Sequence, residues 1–155
     1  MGRVISVANQ KGGVGKTTTS VNLSASLAVA EKKTILIDID PQGNATSGLG
    51  IPKEKIPGKS IYHALIDQAN AADLILDTEL DFLKIIPSDI DLIGAEIELV
   101  PYADREVRLK KALQHIKEAF DYLIIDCPPS LGLITVNSLT ASDSVLIPLQ
   151  CEYYP

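Results

Sequence analysis

The sequence predicts an α/β fold in which a mostly parallel sheet carries helices on both faces. Five apolar, β-rich runs recur along the 155 residues, at positions 4–8, 34–39, 83–86, 122–125 and 144–149. Helical or mixed segments separate these runs, and such alternation is typical of parallel strands joined by helices. Two of the runs contain only Ile and Leu at 35–37 and 123–125, which indicates strands buried on both sides of a sheet. The pattern leaves the order of the strands open.

Helices are predicted between these strands. The first strand is followed by 17–30, a segment without Gly or Pro that suits a helix. After the second strand, the stretch 50–59 is rich in Pro, Gly and Lys and is predicted to be an exposed loop. Shorter helices are predicted at 60–66 and 90–99, on either side of the third strand.

The stretch 104–120 is the clearest amphipathic helix. Its apolar residues recur at spacings of four, three and four, at Leu109, Leu113, Ile116 and Phe120. Four basic residues are predicted on the opposite, solvent-facing side, namely Arg108, Lys110, Lys111 and Lys117. Because Glu106 and Glu118 are interspersed, we interpret this side as the charged outer face of a sheet-covering helix rather than as a nucleic-acid patch.

Composition predicts one domain over 1–155, because 46% hydrophobic content at this length suffices for a single core. No apolar run approaches the roughly twenty residues of a membrane span, and no signal peptide is recognisable, so the cytoplasm is the expected location.

The net charge of −6 argues against nonspecific nucleic-acid binding by the chain as a whole. Cys127 and Cys151 form no CxxC pair and have no histidine at zinc spacing, so reduced thiols are expected.

A glycine-rich loop directly after the first strand predicts a nucleotide site. It reads Lys11, Gly12, Gly13, Val14, Gly15, Lys16, Thr17 and Thr18. In the ordinary phosphate-binding loop, GxxxxGK[ST], backbone N–H groups surround the phosphates, the lysine meets the outer phosphates and the hydroxyl binds magnesium. Here that pattern would begin at Gln10 instead of glycine, and an additional lysine, Lys11, stands at the loop's entrance. With a strand before it and a helix after it, the loop predicts a three-layer P-loop NTPase-like fold.

Two further strands end in carboxylates that are expected beside this loop, because ligands of open α/β sheets lie at the carboxyl edge of the strands. Asp126 has the form of a Walker B aspartate, which helps to hold magnesium beside the hydroxyl of Thr17. Pro128 and Pro129 begin a segment that can sense the γ-phosphate.

Asp38 and Asp40 alternate along the other strand and are expected on one face of it. Asp40, nearer the strand's end, is our candidate for orienting the attacking water. For Asp38 two interpretations stay open, a catalytic carboxylate or a buried one satisfied by backbone or magnesium-bound water. Gln42 and Asn44 either contact phosphate or water or belong to a polar turn.

Four motifs together resemble those of one family. They are KGGVGKTTT from Lys11, DIDPQGNAT from Asp38, IIDCPPSLG from Ile124 and IPLQCEYY from Ile147. The chain resembles the deviant Walker A ATPases and, within them, the ParA/Soj chromosome and plasmid partitioning proteins, along essentially all 155 residues. MinD is the nearest alternative, and it differs around the two carboxylates.

The resemblance implies an ATPase in which two ATP molecules, with Mg²⁺, are sandwiched between two subunits. The catalytic residues would be Lys11, which reaches the partner's phosphates, Lys16, which binds the β- and γ-phosphates, and Asp40, which positions water. The residues that bind ATP or ADP would be Lys11, Gly12, Gly13, Val14, Gly15, Lys16, Thr17 and Thr18. Thr17 would bind Mg²⁺, and Asp126 would support the Mg²⁺ site.

The resemblance also implies partners. The ATP-bound dimer of such proteins binds DNA without sequence preference in the cytoplasm, on the nucleoid, and a ParB-type protein stimulates hydrolysis. Members continue beyond the point that corresponds to Pro155, and the apolar strand 144–149 has no helix after it to cover it. We therefore expect the N-terminal portion of a single deviant Walker A ATPase domain, with the C-terminal part missing, and DNA binding is not expected of this portion. The alternatives are a MinD-like, membrane-associated positioning ATPase and a catalytically incompetent nucleotide-binding fragment.

Overall fold

The computed structural model describes residues 1–13 and 15–151, and these contain one six-stranded sheet. In chain order the strands are β1 Arg3–Val7, β2 Thr34–Asp38, β3 Leu76–Asp77, β4 Leu83–Ile86, β5 Tyr122–Asp126 and β6 Ser144–Leu146. Their order in space is β3-β4-β2-β5-β1-β6. All neighbouring strands pair in parallel except β3, a two-residue strand that pairs antiparallel with β4 at one edge. The predicted, mostly parallel sheet is confirmed.

Helices cover both faces of this sheet. They are α1 Lys16–Val29, α2 Asn44–Gly48, α3 Ile61–Leu65, α4 Leu92–Glu98, α5 Arg108–Gln114 and α6 Leu133–Ala141. Successive residues of β2 serve opposite faces: Ile35 and Ile37 join the apolar cluster under α3 to α6, and Leu36 joins the cluster under α1 and α2. The alternation of a strand's side chains thus builds two cores, one on each side of the sheet. The predicted three-layer arrangement is confirmed.

The register of the central strands brings the candidate carboxylates together. Asp38 at the end of β2 lies opposite Asp126 at the end of β5, and Asp126 also pairs with Val7 at the end of β1. Parallel strands end at the same edge of a sheet, which places both carboxylates beside the loop that follows β1.

The prediction of one helix over 104–120 is wrong in extent. Within this stretch, α5 covers only Arg108–Gln114, and a short 3₁₀ helix follows at Lys117–Ala119. The carbonyl of Lys117 accepts a hydrogen bond of 2.9 Å from the N–H of Gly2, and a Cβ at Gly2 would collide with the carbonyls of Lys117 and Phe120. The helix has already given way to i→i−3 bonding at Ile116, and the contact with Gly2 follows in the 3₁₀ segment. The apolar side of the stretch is nevertheless buried as predicted at Leu109, Leu113 and Ile116.

Arg108 was predicted on the solvent side of this helix, and that prediction is also wrong. Its side chain is buried, with ion pairs to Asp67 and to Asp104, and its guanidinium lies 4.1 Å from the centre of the Tyr102 ring. Two carboxylates and an aromatic face compensate the charge that burial removes from water.

The last predicted strand, 144–149, is shorter than expected and is not a core strand. In the structure β6 covers Ser144–Leu146 at the sheet edge beside β1, and Val145 is 44% exposed. No helix in the described part of the chain is long and apolar enough to cross a membrane.

Candidate phosphate-binding site

The loop between β1 and α1 needs glycine for its backbone shape. Gly13 and Gly15 have φ angles of 72° and 84°, a left-handed conformation that is costly for residues with a Cβ. Gly15 is also the N-cap residue of α1, so no side chain caps the first N–H groups of that helix. Such N–H groups and the positive end of the helix dipole favour an anion. Val14, which we predicted to be part of this loop, lies outside the described residues.

Lys16 and Thr17 occupy the first turn of α1. Lys16 is 7% exposed, and its Nζ donates a hydrogen bond of 3.2 Å to the carbonyl of Lys11. The Lys16 ammonium therefore lies beneath the loop, close to its glycines. The hydroxyl of Thr17 donates to Oδ2 of Asp126 at 2.9 Å, so the two residues predicted to serve the metal are in direct contact.

Asp126 has a second hydroxyl partner that we did not predict. Ser20 lies one turn after Thr17 on α1, and its Oγ donates to Oδ1 of Asp126 at 2.7 Å. Burial raises the pKa of Asp126, and the hydrogen bonds from Ser20 and Thr17 oppose that shift. The spacing of three residues between Thr17 and Ser20 was the available signal, because it places both hydroxyls on one side of the helix.

Asp38 and Asp40 have different environments. The carboxylate of Asp38 is fully buried and accepts three hydrogen bonds, from the N–H of Asp40 and from the N–H and hydroxyl of Thr46. Burial raises its pKa to about 7, although the bonds from Thr46 act in the opposite direction. Of the two interpretations left open for Asp38, this geometry is that of a buried carboxylate satisfied by protein groups. Asp40 is 8% exposed, and its Oδ1 accepts a bond of 3.0 Å from the N–H of Gln42.

One open cavity of about 520 Å³ joins most of these groups. Its walls are Gly12, Gly13, Gly15, Lys16, Thr17, Thr18, Asp40, Gln42, Asn44, Pro129 and Gln150. Asp126 lies behind Thr17, to which it is bonded. Lys11 is exposed and lines a neighbouring, more apolar cavity of about 440 Å³ together with Pro128 and Leu131. The predicted site residues that the structure describes therefore lie around the N-terminal end of α1, and Lys11 lies at the rim of this group.

The donor set suits a nucleotide phosphate with magnesium. A glycine backbone, an uncapped helix start and the Lys16 ammonium are groups that bind phosphate. The Thr17 hydroxyl and the Asp126 carboxylate supply oxygen, the ligand type that Mg²⁺ prefers, and magnesium sites of this kind are completed by phosphate oxygens and water. The residues that are present thus fit both groups.

Residues 2–155 match a family model that is described as an AAA domain. The chain belongs to this AAA domain family. Its relatives include the Soj protein of Bacillus subtilis, a sporulation initiation inhibitor, at 62% identity, and the chromosome partitioning protein ParA of Myxococcus xanthus, at 58%. Both alignments cover 99% of this chain. The predicted resemblance to ParA and Soj proteins is confirmed.

These AAA domain relatives are longer than this chain. It spans 60% of the Soj protein and 54% of the Myxococcus protein. A crystal structure of cobyrinic acid a,c-diamide synthase from Mycobacterium smegmatis, with a bound ATP analogue and magnesium, superposes with a TM-score of 0.94 at 44% identity. That alignment covers 99% of this chain and 62% of the synthase chain, so the fold is shared over nearly every residue of the AAA domain described above.

Proposed function

We propose that this chain binds ATP with Mg²⁺ at the loop between β1 and α1 and hydrolyses it as the nucleotide-binding core of a ParA/Soj-type partitioning protein. One observation carries the proposal: the glycine loop, Lys16, the Thr17–Asp126 pair and Asp40 converge on a single cavity. The relatives named Soj and ParA, and a synthase structure that holds an ATP analogue and magnesium, support it.

The proposed roles follow from position and charge. The backbone of Gly12, Gly13, Val14 and Gly15 would surround the phosphates, and Thr18 would lie on the α-phosphate side. Lys16 would neutralise the β- and γ-phosphates from beneath the loop. Thr17 and Asp126 would hold Mg²⁺, which neutralises charge on the phosphate oxygens when bound.

Asp40 is the proposed group that orients the attacking water. It lines the same cavity as the loop, Gln42 and the first turn of α1. Its Oδ1 accepts a bond from the N–H of Gln42, which restrains the carboxylate. A carboxylate held in this way can accept a hydrogen bond from water and direct its lone pair towards the γ-phosphorus.

The proposal extends to a dimer that forms with ATP. Lys11 is exposed at the rim of the site rather than beneath the loop, a position suited to contact with a second subunit. A lysine supplied across such an interface would stabilise the charge that develops on the transferred phosphoryl group. DNA and a ParB-type activator are proposed as partners at the full length of the relatives. The net charge of −6 does not favour DNA binding by these residues as a whole.

Replacing Asp40 tests the catalytic part of the proposal. Asp40→Ala is expected to bind ATP with an affinity close to that of the parental chain, because the loop and Lys16 are intact. Its rate of phosphate release is expected to fall by about 100-fold or more, the order expected when a positioned catalytic group is lost. Parental turnover in Asp40→Ala would remove this role, and phosphate release from the parental chain above background would exclude the incompetent-fragment alternative.

A further inference from the structure

We infer that Ser88 and Thr46 are positioning residues for hydrolysis, which act by clamping the backbone of Asp40. The inference rests on the proposed function of Asp40 as the residue that orients water. It concerns a closed ring of hydrogen bonds that joins the ends of two neighbouring strands, β2 and β4, behind the cavity wall.

The ring has four members. The N–H of Asp40 donates to Oδ1 of Asp38 at 3.1 Å, and the hydroxyl of Thr46 donates to Oδ2 of Asp38 at 2.7 Å. The N–H of Ser88 donates to the hydroxyl oxygen of Thr46 at 3.1 Å. The hydroxyl of Ser88 then donates to the carbonyl of Asp40 at 2.5 Å, which closes the ring.

The ring holds Asp40 on both sides of its Cα. Its N–H donates to Asp38, the last residue of β2. Its carbonyl accepts from Ser88, two residues beyond the end of β4, and also from the N–H of Gly43 within the local turn, at 2.9 Å. Because β2 and β4 are neighbouring strands of one sheet, these bonds tie the Asp40 backbone to the sheet on both sides. The Asp40 carboxylate remains on the cavity wall.

The side chains that form the ring are buried. Thr46 and Ser88 are each 2% exposed and Asp38 is fully buried, so the bonds of the ring are shielded from bulk water. Without the Ser88 hydroxyl, the Asp40 carbonyl would keep only the bond of 2.9 Å from the N–H of Gly43, which lies within its own turn, and the tie between Asp40 and the end of β4 would be lost. A displacement of about 1 Å at a catalytic group can lower a rate by about 100-fold.

Neither Ser88 nor Thr46 is a wall of the phosphate cavity. Both line a different cavity of about 420 Å³, with Ile51 and Ile90, on the other side of the Asp40–Gly43 turn. Their substitution should therefore change hydrolysis without changing nucleotide binding, which separates a positioning role from a binding role.

The test compares Ser88→Ala with the parental chain, both alone and in an Asp40→Ala background. Ser88→Ala is expected to lower kcat for ATP hydrolysis by about 10- to 100-fold, with the ATP dissociation constant unchanged within about twofold. In the Asp40→Ala background the same substitution is expected to have almost no further effect, because residues that act through one another are strongly non-additive. The inference would be overturned if Ser88→Ala lowered kcat by the same factor in both backgrounds. It would also be overturned if Ser88→Ala kept the parental rate while Asp40→Ala was slow.

Matched variants separate positioning from a general loss of stability. Ser24→Ala is the control, since Ser24 is a buried serine whose hydroxyl has no partner among the described residues, and it should keep the parental rate. At position 46, Thr46→Val should lower kcat because it removes the hydroxyl, whereas Thr46→Ser should restore most of the rate. Failure of Thr46→Ser to exceed Thr46→Val would count against the ring.

A second readout does not depend on turnover. The amide of Gln42 donates to the Asp40 carboxylate, so its hydrogen-exchange rate reports how firmly Asp40 is held. Exchange at Gln42 should be at least about tenfold faster in Ser88→Ala than in Ser24→Ala, and equal exchange would overturn the inference even if the chain showed no hydrolysis. If Asp40→Ala hydrolysed ATP at the parental rate, the proposed role of Asp40 would be wrong. Hydrogen exchange at Gln42 would then still show whether Ser88 holds Asp40 in place.

Discussion

Asp126 illustrates at the scale of single residues how a carboxylate with a proposed role at a metal ion is held in place. Its carboxylate is buried at the end of a central strand, where loss of solvent raises its pKa. The hydroxyls of Thr17 and Ser20 compensate part of that cost, one on each carboxylate oxygen. Once Thr17 turns to a metal ion, Ser20 would remain as the group that keeps Asp126 oriented.

Ser20→Ala tests this role. The substitution leaves the loop, Lys16 and Thr17 in place, so nucleotide binding without Mg²⁺ should be nearly unchanged. The Mg²⁺ concentration that half-saturates ATP binding should rise by about tenfold or more, as is typical when the partner of a metal-binding group is lost. Titration of Mg²⁺ by calorimetry at fixed ATP measures it.

Ser24→Ala, one turn further along α1, is the matched control for this titration and should behave like the parental chain. If Ser20→Ala and Ser24→Ala require the same Mg²⁺ concentration, Ser20 has no part in the metal site.

Site residues that belong to a local sequence motif could be predicted from the sequence. Residues whose role depends on a hydrogen-bond partner far away in the chain could not. Lys16, Thr17 and Asp126 stand directly beside a strand or a glycine loop, where local pattern and chemistry coincide. No local sequence pattern points to Ser88, because its partners Asp40 and Thr46 are 48 and 42 positions away in the chain. Only the pairing of β2 with β4 brings them together.

At the scale of elements, α6 depends on a side chain from another helix. The first N–H groups of α6, at Leu133 and Ile134, donate to the carboxylate of Glu96 on α4, at 2.7 and 3.2 Å. A carboxylate at a helix N-terminus satisfies unpaired N–H groups and interacts favourably with the helix dipole. This contact ties α4 to the segment that follows Asp126, Pro128 and Pro129.

Glu96→Ala should lower the free energy of unfolding by about 1–2 kcal/mol, since it removes a charged cap from the start of α6. Chemical denaturation monitored by circular dichroism measures the loss. Glu98→Ala is the control on the same helix: Glu98 is exposed, and its carboxylate accepts a bond from the hydroxyl of Tyr62, so a change within about 0.5 kcal/mol is expected. Equal losses in both variants would show that Glu96 does not act as a cap.

Strands were easier to predict than helices in this chain, for a physical reason. A central parallel strand is apolar on both faces, so β2 and β5 appear as continuous Ile and Leu runs. The helix α2, with the sequence NATSG, contains four poor helix formers beside one Ala and is supported by the bonds from Thr46 to Asp38. The predicted helix 104–120 is too long, because Ile116 and Ala119 bond in the i→i−3 pattern and the Lys117 carbonyl is bonded by Gly2, a contact that no local pattern contains.

At the scale of the whole molecule, the site is a product of topology. The strands β1, β2 and β5 are neighbours in the sheet and end at the same edge, so the glycine loop and two carboxylates meet there, although Asp126 follows the loop by more than 100 positions in the sequence. The cavity at this edge is built from residues that follow each of these strands, together with Gln150, which follows β6. The central claim is therefore that the described residues suffice to form a nucleotide site, although the chain spans 60% of the related Soj protein.

The most direct test is calorimetry of ATP·Mg²⁺ binding, with light scattering alongside, on this chain and on Lys16→Ala. Lys16 is buried beneath the loop, and its loss should remove the charge that balances the outer phosphates. We predict binding by the parental chain, an ATP-dependent increase in molar mass towards a dimer, and no measurable binding by a folded Lys16→Ala. Absence of binding in a demonstrably folded parental chain, or equal binding by both, would contradict the account.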